Sequence, residues 1–377
     1  MGYRTSSPEL HRAYQQASRA ATHSLLRHPG RSMAATLRIL AERAEAYAEP
    51  DNYGAGALIE DFENQLAAEF NKPASLFLPS GTLAQPIALK IHCDKAANNR
   101  IGLHPTSHLQ LHEQQGYSAL WGLTAVTLGT ANKVLTSADL EAFSSNPNEL
   151  PAAIVLELPM REIGGQLPSW DDLCAQVRWA KAHGIAVHID GARLWQCPAA
   201  LNHSLAEIAA LADSVYVSFY KDIGGIAGAL LLGSHNFIAE ARVWVRRAGG
   251  NLINLYPYIL AAQQGLAENR AAVSDAVSYA AELSRLLQTI DGVRVNPAPA
   301  QTAMFHLHIA CDPEQLLQAV IGYANQHQVI ILPEPRAVED NYSVCEITIG
   351  RNAMQQQARF WHEHMRNCLQ PLLAKSD

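Results

Sequence analysis

The sequence predicts an α/β fold: a mostly parallel sheet with helices on both faces, followed by a smaller α+β part. Three observations carry this. Apolar strand-like runs alternate with amphipathic helical stretches, an order that implies parallel pairing with helices over both faces. Several of the runs, 152–158, 214–218 and 228–232, are almost wholly apolar, as strands covered on both sides must be. The length of 377 residues exceeds what one compact core usually organises, so a large and a smaller domain are expected.

In chain order, residues 1–50 are rich in Ala, Arg and Glu at helical spacing and read as a helical arm of one or two helices. Asp51-Asn52-Tyr53-Gly54-Ala55-Gly56 is a loop, and Leu58, Phe62, Leu66 and Phe70 then form one helical stripe, read as core. A short strand at 75–78 runs into a helix at 83–91. The strand at 152–158 precedes a helix at 170–183, which leads through Gly184 to a strand at 185–189, and strands at 214–218 and 228–232 follow. A long helix over about 255–290 links to the C-terminal part. There, strands at 304–309, 329–332 and 343–349 surround a helix at 313–327, and a last helix closes the chain. The expected organisation is an arm over 1–50, a large domain over 51–265 and a small domain over 266–377.

Composition narrows the function classes. A formal net charge of −7, spread along the chain, speaks against nucleic acid as the partner. No stretch approaches the roughly 18 apolar residues of a membrane span, and residues 1–9 lack the apolar core of a signal peptide, so a cytoplasmic protein is expected. The six cysteines, Cys93, Cys174, Cys197, Cys311, Cys345 and Cys368, share no metal spacing and suit a reducing compartment. The histidines are scattered apart from His306/His308 and His362/His364, and no metal is expected.

Three short segments carry chemistry. Ser80-Gly81-Thr82 follows a strand and opens a helix, where backbone N–H groups and a hydroxyl make a cradle for phosphate; the same pattern also serves as a plain N-cap. His188-Ile189-Asp190-Gly191-Ala192-Arg193 puts an acid at the end of an apolar strand, where it either caps the next helix or keeps a pyridine nitrogen protonated, making the ring an electron sink. Ser218-Phe219-Tyr220-Lys221-Asp222-Ile223-Gly224-Gly225 sets a lysine just past another strand, before a glycine turn. Desolvation there frees the amine for imine formation, whereas an isolated lysine is ordinarily a surface residue. Ser218 is within reach of the phosphate on this reading. Phosphate loop, strand-end Asp, strand-end Lys, in that order, is the layout of a fold-type I enzyme of pyridoxal 5'-phosphate.

With these residues in view, the sequence resembles the threonine aldolase and β-eliminating lyase family from about Asp51 to Gly265. Asp51-Asn52-Tyr53-Gly54 looks like the family's Asp-x-Tyr-Gly turn, and Leu76-Phe77-Leu78-Pro79-Ser80-Gly81-Thr82 like its phosphate loop. Ser107-His108, with Glu113 five residues on, looks like the segment whose histidine stacks on the cofactor ring. The segments around Asp190 and Lys221 are similar to its strongest signatures. The resemblance implies a seven-stranded sheet domain, a small C-terminal domain and a homodimer or homotetramer with shared active sites. It also implies Lys221, His108, Asp190 and Glu113 as catalytic residues. Ser80, Gly81, Thr82, Arg193, Ser218 and Tyr53 join His108, Asp190 and Lys221 around the cofactor.

The substrate side departs from the pattern. Where threonine aldolases show Glu-Asn-Thr-His, this chain has Glu157-Leu158-Pro159-Met160-Arg161-Glu162, and the family arginine of the last strand aligns with Glu346. Arg193 and Arg351 are the candidates for gripping the substrate carboxylate, a contact that selects which Cα bond breaks. The expected reaction is retro-aldol cleavage of a β-hydroxy-α-amino acid to glycine and an aldehyde, with His108, His112, Glu113 and Glu162 as candidate bases. β-Elimination or another reaction on an amino acid is the alternative, with transamination behind it. A non-catalytic protein on the same scaffold is the rival from another class, and keeping both Lys221 and Asp190 argues against it.

Overall fold

The computed structural model describes residues 6–143, 146 and 149–373; the first five residues of the expected arm and the last four of the C-terminal part lie outside these. The chain divides into two units, one of residues 32–162 and 167–270, the other of residues 1–31, 163–166 and 271–377.

The larger unit is built on seven strands: β1 (Ala74–Leu78), β2 (Arg100–Leu103), β3 (Thr124–Thr127), β4 (Ala153–Glu157), β5 (Ala186–Gly191), β6 (Ser214–Ser218) and β7 (Ala229–Gly233). They lie in the order β1-β7-β6-β5-β4-β2-β3. The run from β3 to β6 pairs in parallel, and β7 is antiparallel to both β6 and β1. The mostly parallel sheet expected from the sequence is therefore present. Strands β2 and β3 were not anticipated: Arg-Ile-Gly-Leu is short, and β3 is an edge strand with exposed threonines at both ends, so neither has the apolar run of a central strand.

Alternation along β1 shows why both faces are covered. Leu76 and Leu78 pack with Ile87 and Ile91 of helix Gly81–Ala96 and with Phe237 of helix His235–Arg247. Phe77 points the other way, its ring 5.8 Å from Phe62 of helix Ala57–Glu69 and 5.8 Å from Phe219. Truncating such a buried ring to alanine costs about 3–5 kcal/mol.

Asp51 belongs to the fold itself. Fully buried, it accepts hydrogen bonds from the backbone N–H groups of Leu255 (2.8 Å) and Tyr256 (2.7 Å) and so caps helix Tyr256–Leu287 from two hundred residues away in sequence. A carboxylate there also favours the helix dipole.

A polar chain crosses the core of this unit. His188 on β5 faces Ser214 on β6, whose Oγ lies 2.8 Å from His188 Nδ1 and 2.8 Å from His92 Nε2. Burial pushes His92 down to about 4, and burial with the neighbouring His92 pushes His188 down to about 3. Both imidazoles are neutral in the folded protein at neutral pH.

The smaller unit has a four-stranded antiparallel sheet of β8 (Val293–Asn296), β9 (Met304–Ile309), β10 (Ala337–Glu339) and β11 (Tyr342–Thr348), in the order β10-β11-β9-β8. Helices Pro8–Ala20, Pro313–His327 and Ala358–Leu373 belong to it. The strand expected at 329–332 shortens to Val329–Ile330, paired in parallel with His23–Ser24. Beyond it Leu332 gives its carbonyl to the Tyr14 hydroxyl at 3.0 Å, and Pro333 cannot donate to a ladder. No helix among the described residues is long and apolar enough to cross a membrane.

The two buried imidazoles set a pH dependence. Their folded values lie below the ordinary 6.5, so between about pH 6.5 and 4 the unfolded chain binds protons that the folded chain does not, and stability falls as pH drops through that window. Denaturant midpoints are expected to be lower at pH 5 than at pH 7; equal midpoints would mean that these rings titrate normally in the fold.

Candidate active site

Ligand sites of such sheets form at the carboxyl ends of the parallel strands. Three neighbouring tips carry ionisable groups here. Glu157 ends β4 and is the register partner of Asp190 near the end of β5, and Lys221 follows the end of β6 by three residues. Backbone pairing alone thus brings an amine and two carboxylates to one edge.

Asp190 is 1 % exposed. One of its carboxylate oxygens accepts from Gln85 Nε2 at 3.0 Å, the other from the Ala192 N–H at 3.1 Å. Both donors are neutral, so the carboxylate is oriented while its charge stays open to a further cation. Lys221 has its proton affinity pushed down to about 8, chiefly by burial and then by the Arg193 guanidinium, against the pull of Asp190 and Glu157. An amine so lowered has a substantial neutral, nucleophilic fraction near neutral pH. Glu157 is shifted the opposite way, raised by burial and by the charge of Asp190, while the Arg161 N–H (3.0 Å), His108 and Lys221 pull it back. These mutual influences place Lys221, Asp190, Glu157, Arg193, Arg161 and His108 in one electrostatic cluster.

Ser80 caps helix Gly81–Ala96, its Oγ accepting from the Leu83 N–H. At Gly81 a Cβ would stand 2.1 Å from the Tyr216 hydroxyl, so no larger residue fits without displacing that ring. Thr82 is exposed. The first N–H groups of such a helix have no intrahelical partner and carry the positive end of its dipole.

His108 Nδ1 lies 3.1 Å from Glu113 Oε1, so the two residues suggested by their spacing are in hydrogen-bonding contact. The His112 ring is 5.1 Å from the His108 ring, and its Nε2 is 2.9 Å from Glu162 Oε1, which also takes Arg161 Nη1 at 3.2 Å. Other expected residues sit differently. Ser218 is fully buried, its hydroxyl donating to the Ala192 carbonyl at 2.8 Å. Tyr53 has a left-handed backbone (φ 50°) and a side chain 54 % exposed, anchored by its N–H to the Ile253 carbonyl. Arg351 belongs to the smaller unit, after Gly350, whose backbone packs against that of Arg27. In that unit Glu346, which takes the place of the family arginine, pairs with Arg336 at 2.7 Å.

Sequence reasoning passed over Gln85, Tyr216 and Glu157. Gln85 is a polar residue inside the apolar run Leu83–Leu89, and Glu157, like Asp190, is an acid ending an apolar strand. Glu157 thus carried a signal of the kind that identified Asp190.

The donor set fits pyridoxal 5'-phosphate: an amine of lowered proton affinity, a buried carboxylate held by neutral donors, and the N-terminus of a 16-residue helix whose first residue has no room for a Cβ.

Comparisons with known proteins agree. The chain is 36% identical to a solved structure from Listeria monocytogenes EGD-E provisionally assigned as an L-allo-threonine aldolase, covering 97% of this chain and 100% of that one with a TM-score of 0.86. A structure from Exiguobacterium sp. 255-15, provisionally assigned as an aromatic amino acid β-eliminating lyase/threonine aldolase, is 32% identical over 94% of this chain and 99% of that one, also at a TM-score of 0.86. A protein of Arabidopsis thaliana assigned as a low-specificity L-threonine aldolase is 29% identical over 77% of this chain and 83% of its own length. Residues 32–310 match the sequence pattern of the β-eliminating lyase family, and the chain belongs to that family.

Proposed function

We propose that the protein is a pyridoxal 5'-phosphate-dependent aldehyde-lyase that cleaves a β-hydroxy-α-amino acid between Cα and Cβ, giving glycine and an aldehyde. The observation that carries this reading is the meeting of Lys221 and Asp190 at neighbouring strand tips, with the amine's proton affinity lowered. The relatives assigned as threonine aldolases supply the reaction class.

The residues divide the work as follows. Lys221 holds the cofactor through its amine, and its neutral fraction is what makes that attachment rapid. Asp190 would hold the proton-bearing ring nitrogen, and Gln85 fixes its carboxylate through one oxygen. The opening turn Ser80-Gly81-Thr82 would hold the phosphate through its N–H groups, and His108, steadied by Glu113, would lie beside the ring. Arg193, buried beside Lys221, is the carboxylate anchor we favour over Arg351. When bound, the cofactor withdraws the electron pair released at Cα.

We further propose a homo-oligomer in a reducing, cytoplasmic setting. Met33 (86 % exposed) and Leu37 (63 %) lie on one side of helix Met33–Ala44 and Ile253 is 61 % exposed, apolar surface suited to a second copy; all six cysteines are unpaired thiols.

Incubation with threonine, allo-threonine and phenylserine is expected to release glycine and the matching aldehyde. Ketoacid without aldehyde would instead make the protein a β-eliminating lyase. Asp190→Asn should bind the cofactor yet cleave at least about 100-fold more slowly, the equivalent of the ~3 kcal/mol lost when one member of a buried charge pair is removed. Wild-type rates in this variant would contradict the role given to Asp190.

A further inference from the structure

We propose that His112, held by Glu162, is the base that removes the substrate's hydroxyl proton; the proposal deepens the aldolase reading above and rests on it. Cleavage requires an acceptor for that proton in the same cluster as Lys221, and the other groups there are committed. His108, steadied by Glu113, is assigned to the cofactor ring. Glu157 is tied to the Arg161 N–H and sits in register with Asp190. Lys221 is needed at Cα.

His112 is placed and prepared differently. Glu162 Oε1 receives both Arg161 Nη1 (3.2 Å) and His112 Nε2 (2.9 Å). Beside a guanidinium the carboxylate acts as an acceptor, so His112 Nε2 carries the proton and Nδ1 presents the basic lone pair. A carboxylate that fixes the tautomer of a neighbouring base is a recurring catalytic arrangement. The side chain of His112 remains 29% exposed and that of Glu162 only 14%, so the ring is open to a ligand while its holder is enclosed. The ring lies 5.1 Å from the His108 ring, and the charge of Arg161 bears on Lys221, which ties the pair to the cofactor cluster.

The step balances as follows. The hydroxyl proton moves to His112 Nδ1, the O–H pair becomes the second bond of the aldehyde carbonyl, and the Cα–Cβ bond breaks with its pair left at Cα. A proton delivered there by Lys221 in its ammonium form completes glycine; the proton on His112 returns to solvent, and solvent reprotonates Lys221. His112 is catalytic in this assignment, and Glu162 is a positioning residue.

The test uses cofactor-loaded wild type, His112→Asn, His112→Phe and Glu162→Gln. Three readouts are compared: cleavage of β-hydroxy amino acids, exchange of the glycine Cα hydrogen in D2O, and visible absorbance of the bound cofactor. Exchange needs Lys221 but has no hydroxyl to deprotonate. Both His112 variants are expected to lose roughly 100- to 1000-fold in kcat/KM for cleavage, the range of a general base, with exchange and absorbance unchanged. In 15N spectra of His112, wild type should show the Nε2–H form and Glu162→Gln a mixture of tautomers. Cleavage in His112→Asn within threefold of wild type overturns the proposal, as does parallel loss of cleavage and exchange, which marks a structural role. A wild-type His112 protonated at Nδ1 alone overturns it regardless of rates. If wild type exchanges glycine but cleaves no β-hydroxy amino acid, the aldolase reading itself fails and takes the proposal with it.

Discussion

Removing an amine and two carboxylates from water is costly unless each charge finds a partner, and the tips of β4, β5 and β6 force this problem on Glu157, Asp190 and Lys221. The parallel register makes Glu157 and Asp190 neighbours whatever their charges. Their repulsion and burial raise Glu157, while burial and Arg193 lower Lys221. The site stores the compromise as altered proton affinity, which is the property that cofactor attachment uses.

Much of the surrounding structure holds this arrangement in place. Gln85 and the Ala192 N–H fix Asp190 without neutralising it. The Arg161 N–H steadies Glu157, and Arg161's side chain holds Glu162. Helix Gly81–Ala96 supplies both Gln85 and the Ser80 turn, so the turn proposed for the phosphate and the support for Asp190 sit on one helix. The glycine at its first position is required by the closeness of Tyr216. Asp51, far away in sequence, caps the 32-residue helix that follows Asn254, and so gives a structural reason for an acid in the Asp51-Asn52-Tyr53-Gly54 turn.

The fold was legible because its central strands are almost wholly apolar and its helices are amphipathic. The parts that escaped were those without such patterns, above all the short β2 and the exposed edge strand β3. Lys221 and Asp190 stood out as candidates because strand-end position and neighbouring glycines mark them. Gln85 could not, since its partner is 105 residues away in sequence and only the packing of a helix on the sheet unites them. His112 and Glu162 each stood out as candidate bases, but their contact joins residues 50 apart in sequence and needed the fold to show it. Ser218 Oγ donates to the Ala192 carbonyl, a bond between neighbouring strand ends that sequence spacing does not reveal.

The account's central claim is that one particular amine takes the cofactor. Reduction of the yellow, cofactor-loaded protein with borohydride, followed by peptide mapping, reads this directly. The account predicts the pyridoxyl mass on the peptide bearing Lys221 and on no other. The same mass on a different lysine, with Lys221 unmodified, would contradict it.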